Sequence, residues 1–337
     1  MSTKIKLTRG LLSAAILAIG ALGTVASLPA HAAPFSSVVI FGDSLSDSGN
    51  NYLAGLYNPA QVITGNTYIP SFTYDKGART FGTYSNGATW ATQFTASLGL
   101  SAIPSLAGGT NYVFGGAVTS GAGFPYSLTA QVGQFLAAHP AAPSDALYVI
   151  EGGGNNLRAA ATALSAPGLS FAQQISIISD NASRFATDIG NMVDSLQAAG
   201  AHNIIVWNTP NFAATPFAGA TGSQYISGLL GATMNSALDY RLSTEAGVKT
   251  FDVFGLISTI AANPAAYGLS NISDACGAAI NNCDPATALY WDAIHPTAKG
   301  HQILADAMMA AAVPEPSSYL LFAVGLAGMA AWQRRRV

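Results

Sequence analysis

The chain has 337 residues, half of them hydrophobic, 9% aromatic and 9% charged, with a formal net charge of −3. That composition excludes whole-chain disorder and suffices for a sizeable core in one large domain or two small ones. Both ends distort these averages and are best taken separately.

Residues 1–32 have the layout of a secretory signal peptide. Lys4, Lys6 and Arg9 form a basic start, Leu11 to Leu28 is uncharged and apolar, and Ala30-His31-Ala32 supplies a small-x-small cleavage pattern. The mature chain is therefore expected to begin at Ala33, after signal peptidase. At the far end, Val313-Pro314-Glu315-Pro316 precedes an uncharged run to Gln333 and then Arg334, Arg335 and Arg336. Its apolar part, Tyr319 to Trp332, is 14 residues long, shorter than the roughly 20 of a comfortable spanning helix. The arginines fit a C-terminus left on the cytoplasmic side. This Pro-Glu-Pro, short span and basic cluster at 313–337 resembles the PEP-CTERM sorting signal of Gram-negative bacteria. The resemblance implies an exosortase-type sorting protease as a partner, transient tethering at the inner membrane, and export to the cell surface or beyond.

Between those signals, residues 33–312 keep seven basic and 15 acidic residues, a formal charge of −8. Nucleic-acid binding depends on neutralising phosphates, so that class is set aside. Cys276 and Cys283 are the only cysteines. An even count in an exported chain reads as one disulfide closing a tight loop. Neither H-E-x-x-H nor a calcium-loop pattern occurs, and the cysteines lack neighbouring metal ligands, so no metal is expected.

In chain order, Ser37 to Phe41 (SVVIF) reads as the first strand. Asn51 to Ala88 follows, rich in Asn, Gly, Thr, Tyr and Phe and without periodicity. So long a loop after a first strand is expected to be functional and to line the ligand site. Thr89 to Leu98 is a predicted helix with Gly99 as its C-cap. Asn111 to Phe114 and Ala146 to Ile150 are the next predicted strands. From Phe171 to Ala199, Phe171, Ile175, Ile178, Ala182, Phe185, Ile189, Met192 and Leu196 fall on one helical face, and Gly200 ends it. Asn203 to Trp207 is a fourth strand, Ser223 to Thr244 a helix, Thr250 to Phe254 a fifth strand, and Thr297 to Ala311 a last helix. Strands apolar on both faces, alternating with helices, predict one α/β domain with a parallel sheet.

The chemistry concentrates at strand ends. Phe41-Gly42-Asp43-Ser44-Leu45-Ser46-Asp47-Ser48-Gly49-Asn50 places a serine just past the first strand, outside the G-x-S-x-G pattern because residue 46 is serine. Near the other end stands Trp291-Asp292-Ala293-Ile294-His295-Pro296. A nucleophilic serine needs a base, and the base needs an anion to fix its tautomer. An aspartate three residues before a histidine can reach one ring nitrogen and leave the other for the serine. Pro296 stiffens the exit and can start the next helix. His139, His202 and His301 have no such aspartate and read as ordinary polar residues. Asn111-Tyr112-Val113-Phe114-Gly115-Gly116 and Glu151-Gly152-Gly153-Gly154-Asn155-Asn156 offer backbone N–H groups and a side-chain amide for an oxyanion. They contain no nucleotide-binding glycine pattern.

Taken together and in order, GDSLSDSGN, NYVFGGA, GGGNN and DAIHP resemble the blocks of the GDSL (SGNH) serine esterases and lipases. Ser-Asn-Gly-Ala-Thr-Trp at 85–90 is similar to a stretch of the lipase and lecithinase branch. The resemblance implies a flavodoxin-like three-layer α/β/α sandwich on a five-stranded parallel sheet. It also implies Ser44 as nucleophile, His295 as base and Asp292 as its orienting acid. Oxyanion donors would be the Ser44 and Gly116 N–H groups and the Asn155 side chain, with no cofactor. Asn156 departs from the family, where aspartate is frequent. The implied activity is hydrolysis of carboxylic esters through an acyl-enzyme, as a lipase, phospholipase or esterase. A carbohydrate O-deacetylase, an acyltransferase and a non-catalytic surface or matrix protein on the same fold are the alternatives.

Overall fold

Four short strands form the sheet in this computed structural model: β1 (Val38–Phe41), β2 (Leu147–Ile150), β3 (Asn203–Trp207) and β4 (Val248–Phe251). All neighbours are parallel, in the order β1-β2-β3-β4. The structure describes residues 34–75 and 82–313 and the single positions 329 and 333; the expected signal peptide, 1–32, and the apolar C-terminal run lie outside the described residues apart from those two positions. Everything below belongs to the unit Phe35–Val337.

Nine α-helices are seen among the described residues. They are α1 (Asn50–Leu53), α2 (Trp90–Ser97), α3 (Leu128–Ala138), α4 (Gly154–Leu164), α5 (Phe171–Ala198), α6 (Pro216–Thr221), α7 (Gln224–Leu242), α8 (Val253–Ala262) and α9 (Ala298–Ala312). Successive strand residues face opposite ways, so each strand feeds two cores. Val39, Phe41, Tyr148, Ile150, Ile204 and Val206 pack with α3, α4, α5 and α7. Val38, Ile40, Leu147, Val149, Ile205 and Trp207 pack with α2, α8 and α9. The result is the three-layer α/β/α arrangement. The long helix α5 lies within one residue of its predicted bounds; its start carries a reciprocal Ser170–Gln173 capping box.

Two predicted strands are corrected. Asn111 to Phe114 touches β1 through a single parallel bridge, Ile40 to Asn111, on the edge away from β2. Ile40 N–H donates to the Thr110 carbonyl and Tyr112 N–H to the Ile40 carbonyl, but the ladder stops there because a side-chain amide takes the next residue of the first segment. Gly42 N–H donates to Gln131 Oε1 (2.8 Å), and Gln131 Nε2 donates to the Gly42 carbonyl (2.9 Å). Counting that bridge as the second of five segments gives the order 2-1-3-4-5 of flavodoxin-like sheets. The last strand begins at Val248 and ends at Phe251, not Phe254, because Asp252 accepts from Gly255 N–H and caps α8. The sequence pattern does not mark α1, α3, α4, α6 or α8.

Candidate active site

In a flavodoxin-like order the sheet's switch point lies between β1 and β2, and both strands end there in loops of the expected type. After β1, Gly42-Asp43-Ser44 turns sharply, with Ser46 N–H and Asp47 N–H both donating to the Asp43 carbonyl (3.0 and 3.2 Å). Gly42 is required by close approach: a Cβ there would stand 2.6 Å from Glu151 Oε2. Ser44 Oγ lies 2.7 Å from His295 Nε2. His295 Nδ1 lies 2.8 Å from Asp292 Oδ2 and 3.0 Å from Oδ1. Facing two carboxylate oxygens, Nδ1 holds the ring proton, so Nε2 accepts from the serine hydroxyl. Asp292 Oδ1 also accepts from the backbone of Ile294 (2.9 Å) and His295 (2.8 Å), which curls the loop tightly enough for the three-residue reach. Pro296 precedes the last helix without starting it; Thr297 is the N-cap of α9 and Ala298 its first residue.

Residues 51–88 act differently from expectation. None of the described ones lines the cleft at Ser44, and several brace the loop that carries Asp292 and His295. Tyr74 Oη donates to Asp292 Oδ2 (3.0 Å), Tyr68 accepts Ala293 N–H through its carbonyl (3.1 Å), and the Tyr84 ring lies against His295 at 5.2 Å. Burial and the adjacent Asp292 carboxylate push the Tyr74 hydroxyl far up, so it stays a donor. The block at 85–90 clamps the start of α9: Ser85 Oγ donates to the Pro296 carbonyl (2.8 Å) and Asn86 Oδ1 accepts from Ala298 N–H (2.7 Å). Trp90 N–H donates to Nδ1 of the buried His301 (3.1 Å).

The oxyanion candidates come from the two glycine-rich loops. Gly116 holds φ +85°, which favours glycine, and its N–H and that of Ser44 donate to no acceptor among the described residues. Asn155 Nδ2 donates to the Ala117 carbonyl (2.9 Å) and at longer range to Asp43 Oδ2 (3.3 Å). Its Oδ1 accepts from Arg158, one turn on along α4 (3.4 Å). Asn156 turns to Thr119, accepting its N–H (3.1 Å) and donating to its hydroxyl (3.0 Å). The atypical asparagine thereby fixes the chain that follows Gly116.

Beneath the serine lies a group of buried carboxyls. Asp43 is raised to about 6 by burial, opposed by its bond from Leu45 N–H and the charges of His295 and Arg158. Burial and then the Asp43 charge raise Glu151 well above the usual carboxylate range. Glu151 Oε2 accepts from Ser46 Oγ (2.8 Å), which in turn accepts Trp90 Nε1–H (2.9 Å). Asp47 is also raised to about 6 by burial, although four backbone N–H groups, including Gly115, donate to it. That last bond ties the Ser44 loop to the Gly116 loop.

Ser44 opens into a cleft with about 590 Å³ of empty space, part of it open to solvent. Its walls are mainly apolar, among them Phe212, Val253, Ile257, Ile294 and Leu304. Cys276 and Cys283 form the expected disulfide. Cys276 and Gly277 donate their N–H groups to the carbonyls of Tyr290 and Trp291 (3.0 and 2.8 Å), immediately before Asp292. Among the described residues no group of three or more His, Cys, Asp or Glu could hold a metal ion. The arrangement can take a proton from a serine hydroxyl and receive negative charge beside it, as acyl transfer requires.

Residues 38–308 match the family described as GDSL-like Lipase/Acylhydrolase. The chain belongs to that family. Residues 312–336 match the PEP-CTERM protein-sorting motif, which implies exosortase-type processing and export to the envelope or beyond. No helix among the described residues is long and apolar enough to cross a membrane. This GDSL-like chain is 27% identical over 330 residues to Esterase EstA of Pseudomonas aeruginosa, across 85% of this chain and 48% of that protein. It is 26% identical over 305 residues to an uncharacterized protein in the trpE-trpG intergenic region of Pseudomonas putida, across 81% of this chain and 48% of that one. It thus spans about half the length of the curated relatives it matches. An extracellular lipase from Streptomyces rimosus superposes with a TM-score of 0.43 at 17% identity, covering 82% of this chain and 99% of that structure.

Several residues of the GDSL-like site carried no assigned role in the sequence reading: Tyr74, Tyr84, Glu151 and Arg158. Two had a local signal. Glu151 directly follows a buried apolar strand, and Arg158 is one of only seven basic residues in 33–312, one turn after Asn155. The tyrosines had none, because their partners lie some 200 residues away; the Tyr74–Asp292 separation is 218.

Proposed function

We propose that the protein is an exported serine hydrolase of carboxylic esters, with Ser44 as nucleophile, His295 as general base and acid, and Asp292 as the group that orients His295. The observation that carries this is the continuous hydrogen-bonded path Ser44 Oγ, His295 Nε2, His295 Nδ1 and Asp292, with steps of 2.7 and 2.8 Å. Ser44 Oγ attacks the ester carbonyl carbon as its proton passes to His295 Nε2. The oxyanion is received by Ser44 N–H, Gly116 N–H and Asn155 Nδ2, which leaves its long bond to Asp43. The C–O bond then breaks, and the imidazolium returns its proton to the departing alcohol. Water gives a proton to His295 and attacks the acyl-Ser44 ester; the acid leaves and Ser44 regains its hydrogen.

Around that domain, residues 33–312, we place a signal peptide, 1–32, removed before Ala33, and a sorting segment, 313–337. The latter tethers the protein transiently at the inner membrane before an exosortase-type protease releases it to the surface or medium. Mass spectrometry of the exported protein checks both boundaries.

Hydrolysis of p-nitrophenyl acetate by purified residues 33–312, beside Ser44→Ala, tests the activity. Turnover that disappears in the variant, with a fluorophosphonate labelling Ser44, is the expected outcome. Equal background rates in two folded proteins would return the chain to the matrix-protein alternative.

A further inference from the structure

Of the seven lysines and arginines in 33–312, Arg158 alone is among the described residues that line the Ser44 cleft. It is partly buried and, among the described residues, forms no ion pair. Desolvating a guanidinium without an opposite charge in contact is costly, so a cation kept in such a place calls for a role. Burial lowers its pKa, and the charges of Asp43 and Asp292 oppose that shift. Arginine stays protonated even so. Among the described residues its guanidinium donates one hydrogen bond, from Nη1 to Asn155 Oδ1 at 3.4 Å, three residues back along α4. The other end of the same amide, Nδ2, faces the Ala117 carbonyl at 2.9 Å and Asp43 Oδ2 at 3.3 Å. Exchanging the two ends would set Oδ1 against two acceptors and an NH2 group against a cation.

We propose that Arg158 is a positioning residue of the oxyanion site: it acts through Asn155, holding the amide with Nδ2 on the Asp43 side and polarising it for the negative charge that forms there. This rests on the esterase reading above, with Asn155 as an oxyanion donor. A guanidinium at Oδ1 draws electron density from the amide and strengthens Nδ2–H as a donor, most of all toward an anion. The bond is long, so it contributes little before reaction. Its effect grows as the oxyanion pulls Nδ2 away from Asp43, which assigns the contribution to the transition state and to kcat. A substrate anchor for anionic groups would behave otherwise, since it would act on binding and without Asn155.

The test is a double-mutant cycle on the mature exported protein with p-nitrophenyl acetate, after thermal melting has established that each variant is folded. Arg158→Met should lower kcat about tenfold or more while KM stays within about twofold. Arg158→Lys, which keeps a cation and its donors, should recover part of that loss. Arg184→Met, at an exposed arginine of α5, is the control and should change neither constant. Added to Asn155→Ala, Arg158→Met should cost less than about twofold more, because the residue through which it acts is gone. Full additivity of the two substitutions would overturn the proposal. So would a loss confined to KM and to an ester carrying a carboxylate, such as the p-nitrophenyl hemisuccinate, which would make Arg158 a substrate anchor. The side-chain amide signals of Asn155 in a 15N-labelled protein, assigned by their loss in Asn155→Ala, supply a readout without turnover. They should move in Arg158→Met and not in Arg184→Met; signals that stay in place would also overturn the proposal. Absence of wild-type turnover on every ester, with those signals still moved, would sink the esterase reading and leave the hold of Arg158 on Asn155 standing.

Discussion

The Tyr74 hydroxyl donates to Asp292 Oδ2 at 3.0 Å, the same oxygen that His295 Nδ1 approaches at 2.8 Å. The proposed orienting carboxylate therefore has a donor outside its own loop. Tyr74→Phe removes a hydrogen bond to a charged acceptor, worth about 1.5–3 kcal/mol. The expected result is a lower unfolding free energy in urea titration and a reduced kcat. Asp292 still holds the backbone of Ile294 and His295, so the loss should be smaller than for Asp292→Ala.

Asn155→Ala removes a donor on which the proposed mechanism relies only once the oxyanion has formed. The expected loss is a hundredfold or more in kcat, about 3 kcal/mol, with KM little changed. A variant with full turnover would remove Asn155 from the oxyanion site.

Asp43 has a folded pKa of about 6 against an ordinary 3.8. A carboxyl raised on folding contributes stability below its unfolded pKa, and that contribution is lost as the pH rises through the folded value. Across pH 4 to 6, wild type should therefore lose stability relative to Asp43→Asn, on the order of 2–3 kcal/mol. Parallel chemical denaturation of the two proteins at several pH values measures this difference.

Burial and the Asp43 charge raise Glu151 well above the usual carboxylate range, and its Oε1 has no hydrogen-bond partner among the described residues. A neutral amide is a fair substitute for a neutral acid. Glu151→Gln should stay within about 1 kcal/mol of wild type, whereas Glu151→Ala opens a cavity and strands Ser46 Oγ, costing about 2 kcal/mol or more. If the two variants melted alike, Glu151 would not be neutral in the folded protein.

The Cys276–Cys283 link closes a short loop tied by backbone bonds to Tyr290 and Trp291. Replacing both cysteines with alanine should cost roughly 2–3 kcal/mol. Because the loop abuts Asp292, activity should fall at temperatures below the global melt. Residual turnover after mild heating, compared with circular dichroism, separates the two effects.

What could be read in the sequence was local. The run ending at Phe41 and the periodic face of Phe171–Ala198 carry their structure in neighbouring residues, so they form where expected. Phe251-Asp252-Val253-Phe254 misleads because apolar residues flank a helix cap, and the capping bond from Gly255 outweighs the β-prone composition. Asn111 to Phe114 has strand composition, yet Gln131, 89 residues from Gly42, takes both backbone groups that the next rung would use. The Ser44–His295 pairing was inferred from residue types. The tyrosines that brace it could not be, since nothing near Tyr74 in sequence marks its distant acceptor.

The proposed nucleophile and base are separated by 251 residues and meet only when the last loop closes over the first strand. During synthesis and export Ser44 emerges early and His295 near the end, just ahead of the final helix. A chain interrupted anywhere before that loop has a serine without its base. On the proposed reading, no ester can be cleaved until the His295 loop has docked on Ser44, so an incomplete chain is chemically silent.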